Sequence, residues 1–79
     1  MRLNRRDLLI QEYPEVATAL LELSGDVRYL DNDRKSNPEP GVVLITTLYV
    51  EAAGKILALS CTRLENGVSH LTNEEVDEH

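Results

Sequence analysis

From Val42 to Leu71 apolar residues recur at every second position and also fill many of the positions between, in unbroken runs of at most four. A period of two marks β-strands, whose successive side chains point to opposite faces. Breaks near Ala52-Ala53-Gly54-Lys55 and at Asn66-Gly67 divide the stretch into three consecutive strands. Asn66-Gly67 predicts a two-residue type I′ turn, which needs positive φ at both central residues. That turn sets Glu65 opposite Val68, Arg63 opposite His70 and Thr62 opposite Leu71. An even-numbered loop at the earlier hairpin sets Val50 opposite Leu57, Leu48 opposite Leu59 and Thr46 opposite Cys61, whereas a three-residue loop would mix the faces.

This register gathers Leu44, Leu48, Val50, Leu57, Leu59, Cys61 and Val68 on one face, the face assigned to the helices. The other carries Val43, Ile45, Thr47, Tyr49, Ile56, Ala58, Ser60, Leu64 and Leu71, with Glu51, Thr62 and Ser69 among them. A sheet that faces water on one side normally alternates cleanly between apolar and polar. The second face does not, and contiguous apolar patches beyond roughly a few hundred Å² mark interfaces. Ile45, Thr47, Tyr49, Ile56, Ala58, Leu64 and Leu71 are therefore the candidate protein-binding residues.

Upstream, residues 4–24 read as helical. Asn4 with Asp7 offers a cap and a first-turn acid to a helix carrying Leu8, Leu9 and Gln11. Pro14 ends it at Tyr13 and opens a second helix, Pro14 to Leu23, with Val16, Leu20 and Leu23 on one stripe and Ala17 and Leu21 beside it. Ser24-Gly25 closes that helix. Val27 to Leu30 reads as a short strand, and residues 31–41, polar and carrying Asn37-Pro38-Glu39-Pro40-Gly41, as a loop. Residues 72–79, rich in glutamate, read as a frayed acidic tail. The predicted fold is α+β in a single domain of residues 1–79: two short N-terminal helices packed on one face of a three- to four-stranded antiparallel β-meander.

Composition narrows the function classes. A chain of 79 residues buries only about 60–65% of the surface its unfolded form exposes. Such chains lean on disulfides, metals or association. Cys61 is the single cysteine, so no internal disulfide forms, and association is the route left open. A net charge of −6 repels phosphate backbones and favours basic partners or none. With no tryptophan or phenylalanine and three tyrosines, stacking on single-stranded bases is not the expected business. No apolar run is long enough for a membrane span, and Met1 to Arg6 has no secretory apolar core. The expected setting is soluble and cytoplasmic.

Candidate chemistry is sparse. In the predicted register Cys61 and His70 share a face diagonally, but a cysteine nucleophile also needs an oxyanion donor, and a buried core thiol is the simpler reading. Asp31, Asp33 and Asn37, with Asp26 nearby, superficially suggest a calcium loop, yet Arg34 and Lys35 stand where ligands are needed. Glu74, Glu75, Asp77, Glu78 and His79 form an acidic run of the kind usually left solvated. Gly25, Gly41, Gly54 and Gly67 each stand alone at a turn, so no phosphate loop is present. No catalytic residue, cofactor or metal is expected.

The sequence thus predicts a small acidic, non-enzymatic protein-interaction module, accessory, inhibitory or regulatory, that forms a homodimer or binds another protein through an exposed sheet face or edge. Two other readings stand beside it. One is an inhibitor of the phage or mobile-element kind, whose acidic surface mimics nucleic acid to block a basic host protein. The other is a weak nucleic-acid-binding regulator using Arg2, Arg5 and Arg6.

Overall fold

The computed structural model describes residues 4–76. It is α+β: two short helices precede a four-stranded antiparallel sheet in the order β1-β2-β3-β4. Helix α1 spans Arg5–Glu12, where the Asn4 side chain accepts a hydrogen bond from the Asp7 amide at 2.8 Å, as its spacing predicts. Tyr13 ends the helix and its amide closes on the Leu9 carbonyl. The proline that stops α1 then starts a 3₁₀ turn, Pro14–Val16, and only Ala17–Leu21 is α-helical, as α2. The second helix is therefore shorter than Pro14 to Leu23. Tight bonds from Glu22 to Ala19 and from Leu23 to Leu20 wind down its end. Leu21 is 64% exposed, away from the buried stripe of Val16 and Leu20.

The strands are β1 (Val27–Glu39), β2 (Val42–Ala52), β3 (Lys55–Leu64) and β4 (Ser69–Glu75). The β2/β3 pairing is the expected one, with Val50 opposite Leu57, Leu48 opposite Leu59 and Thr46 opposite Cys61. Its loop has two residues, Ala53 and Gly54, both at positive φ (52° and 76°). This is the pattern of a type I′ turn. An alanine in the left-handed region crowds its Cβ against the following carbonyl. Ala53→Asn should therefore raise stability by about 0.5–1 kcal/mol, measured as a higher urea midpoint. An unchanged or lower midpoint would count against the turn geometry.

Three expectations are overturned. Residues 31–41 are not a loop, because β1 continues through Asp31 to Glu39. As an edge strand it pairs only with β2 and tolerates a polar sequence. Pro38 sits in a register shift between Ser36 and Glu39, where no ladder amide is required. Only Pro40-Gly41 turns, between Glu39 and Val42. Residues 72–75 are not a frayed tail either: they belong to β4, paired as far as Glu75 opposite Leu57. The remainder of that acidic run, residues 77–79, lies outside the described residues.

The third correction concerns register. The β3/β4 loop has three residues, Glu65-Asn66-Gly67, with the Leu64 amide bonded to the Val68 carbonyl at 2.8 Å. Gly67 alone takes positive φ (88°), and the Asn66 side chain accepts the Val68 amide at 3.0 Å. One left-handed glycine serves here, where the two-residue turn would need Asn66 left-handed as well. The slip of one residue moves all of β4 to the opposite face. Arg63 now meets Ser69, Thr62 meets His70 and Cys61 meets Leu71. Leu71 leaves the mixed face for that of Cys61, and Val68 is an exposed turn residue, not part of the core.

The hydrophobic core joins Leu9, Tyr13, Val16, Ala19 and Leu20 to Val27, Leu48, Val50, Ala52, Leu59 and Cys61, with Ile10, Leu23 and Leu57 packed against it. By the strand register these sheet residues share one face.

Candidate interaction surface and its supporting clamp

Pairing places Ile45 opposite Thr62, Thr47 opposite Ser60, Tyr49 opposite Ala58 and Glu51 opposite Ile56. Five of the seven candidate residues, Ile45, Thr47, Tyr49, Ile56 and Ala58, thus share the face opposite the core cluster. All are half-buried by their sheet neighbours, and none belongs to that cluster. Leu64 stands beyond a register shift at Val43, opposite the buried Val42. Leu71 lies on the other face. The Thr47 and Ser60 hydroxyls bond to each other at 3.1 Å across the strands, so they present little unsatisfied polarity in the centre of the patch.

Charged and polar residues lie on either side of this central strip. Across from it on β1 stand Arg28, Asp31, Asp33 and Lys35, and on β4 His70, Thr72 and Glu74. Arg28 pairs with Glu51 at 2.9 Å and Lys35 approaches Asp33 at 3.9 Å, both exposed. Such pairs add little stability. An apolar centre with a polar rim is the anatomy of protein–protein interfaces. The molecule is a slab of 38 × 37 × 18 Å, with the thin dimension of a two-layer structure.

Behind β1 and β2 lies a polar constellation that no local sequence pattern announces. Glu15, in the 3₁₀ turn, receives Arg34 Nε and Nη2 on its two carboxylate oxygens, each at 3.0 Å, and the Thr46 hydroxyl at 2.6 Å. Arg34 Nη2 also donates to the Glu12 carbonyl at 2.7 Å, and its guanidinium lies 4.7 Å from the Tyr13 ring centroid. Tyr13 in turn stacks on Tyr29 at 6.4 Å. The Glu15 side chain is 6% exposed and that of Arg34 42%. Burial by itself would push the Glu15 carboxyl up, but the hydrogen bonds from Arg34 and Thr46 outweigh it and hold the group below the usual glutamate range. Burial, then Tyr29, push the Tyr13 phenol up. A carboxylate so saturated with donors stays ionised, and the constellation ties the 3₁₀ turn to β1 and β2.

The other candidates do not assemble. Cys61 is buried in the core and His70 is exposed on the opposite face. Asp31 and Asp33 lie on one face of β1, while Asn32 and Arg34 alternate to the other. Among the described residues no group of three or more histidine, cysteine or acidic side chains is placed to hold a metal. Arg6 donates to the Gly25 carbonyl, and Arg2 lies outside the described residues. No described helix is long and apolar enough to cross a membrane. No family model, curated protein or solved structure matches the chain.

Proposed function

We propose that this chain is a small, non-enzymatic protein-interaction module, accessory or regulatory in kind, with the helical segment as the cover of one sheet face and the other face as its contact surface. The reading rests on one observation: Ile45, Thr47, Tyr49, Ile56 and Ala58 form a continuous strip on the two central strands, outside the core cluster and flanked by charge. The acids on that face, Asp31, Asp33, Glu51 and Glu74, lie at its margins. This favours an apolar contact with a polar rim over mimicry of a phosphate backbone.

Affinity purification of the tagged full chain tests the reading. Wild type should retain a stoichiometric companion at high salt, and Tyr49→Lys, with unchanged circular dichroism, should lose it, at a cost of about 2 kcal/mol or more if Tyr49 anchors the contact. The same companions in both preparations would sink the assignment of this face. Retention that collapses with added salt would point to the acidic surface instead.

A further inference from the structure

We propose that β4 is an association edge, pairing antiparallel with the β4 of a second copy to join two four-stranded sheets into one of eight strands. The inference rests on the reading of the open sheet as a contact surface and adds the edge, the occupant and the register.

The two edges of the sheet differ. β1 is defended by Asp31, Asp33 and Lys35, by Pro38 and by two register shifts, which are the devices that keep edges from pairing. β4 has no proline, no lysine and no register shift, its acids are confined to Glu74 and Glu75 at one end, and all seven of its residues are exposed. The Val76 amide donates to the Ile56 carbonyl and the Leu64 amide to the Val68 carbonyl, each at 2.8 Å. Even-numbered residues of β4 therefore turn their amides and carbonyls toward β3. By the alternation of an antiparallel ladder, those of Ser69, Leu71, Asn73 and Glu75 point out of the sheet.

A second β4 answers this edge. Full overlap of the seven residues centres on Thr72 and sets Ser69 opposite Glu75 of the second copy and Leu71 opposite its Asn73. Outward-facing residues meet outward-facing residues, which is the parity that hydrogen-bonded pairs require. On the other face each His70 meets a Glu74, and no acid meets an acid. Moving the centre by one residue either way loses the His70–Glu74 pair. The two copies of Leu71, each 41% exposed, become diagonal neighbours about 7–8 Å apart and cover one another.

Sedimentation of the full chain over a concentration series should give twice 8.9 kDa. Leu71→Pro removes an amide that the single chain does not use, so it should yield a monomer with unchanged circular dichroism. Thr72→Pro removes an amide committed to β3 and should unravel β4 itself. His70→Glu should weaken association about five- to tenfold, since the pair occurs twice, and Glu74→Lys in the same chain should restore it. A wild-type chain that stays at 8.9 kDa overturns the proposal, as does a dimer that survives Leu71→Pro. Failure of the second substitution to rescue overturns the register. A monomeric wild type that still retains its companion through Tyr49 sinks the edge and leaves the reading of the face standing.

Discussion

Leu20→Ala should lower the free energy of unfolding by about 3–4 kcal/mol. Leu20 is fully buried in the core cluster that also holds Leu48, Leu59 and Cys61, and removing its methyl groups leaves a void that so small a core cannot close. A chain of 79 residues has about 4–12 kcal/mol in total, so the loss takes a large share of it. Urea denaturation followed by circular dichroism measures the effect. Leu21→Ala, one residue away and mostly exposed, should change it by less than about 0.5 kcal/mol. Equal effects at the two positions would contradict the burial of Leu20 and the exposure of Leu21.

Arg34→Ala should cost about 2–3 kcal/mol at neutral pH. The figure falls short of that for a fully buried pair because water already reaches the Arg34 guanidinium. What is lost is a two-pronged partner for a carboxylate that stays buried, and Arg34→Lys cannot restore a planar fork. The pH dependence identifies the cause. In the wild type Glu15 titrates below the ordinary glutamate value, so its contribution is complete above that value of about 4.3 and is lost as pH falls through the depressed one. Without Arg34 the strongest downward pull on Glu15 is gone and its titration moves back up. The difference between the two proteins should therefore shrink as pH is lowered from about 7 toward 3.5. A difference independent of pH would place the effect in the packing of Arg34 on Tyr13 instead.

The two results bear on function because they fix which face of the sheet is occupied. If Leu20 and the Glu15–Arg34 clamp hold the helical segment against one face, no described element remains to cover Ile45, Tyr49 and Ile56. Those residues then form an apolar strip on the outside of a two-layer slab. A chain that carries such a strip through folding gains stability when the strip is covered, which is also the circumstance of a small domain with no disulfide.

Much of the candidate surface was legible in the alternation from Val42 to Leu64. There local turn chemistry and side-chain period agree, and the pairing of β2 with β3 spreads outward from one tight turn. The face of Leu71 is not legible in the sequence because Asn66-Gly67 fits two loop lengths. A two-residue loop needs two left-handed residues and a three-residue loop only one, and the strand that follows is too polar to decide between them by its own pattern. The strand character of residues 31–39 is hidden for a related reason. An edge strand needs one partner and little burial, so charge and proline, which argue against a central strand, do not exclude it.

The sequence by itself determined the cap at Asn4, the break at Pro14, the β2/β3 register and the division of those two strands into a core face and a mixed face, because each depends on neighbours along the chain or across one tight turn. Only the tertiary structure decided the length of β1, the face to which β4 turns and the Glu15–Arg34–Thr46 clamp. The clamp's partners lie 19 and 31 residues apart. Polar side chains at such separations carry no period. Their meeting is set by where the packed elements bring them.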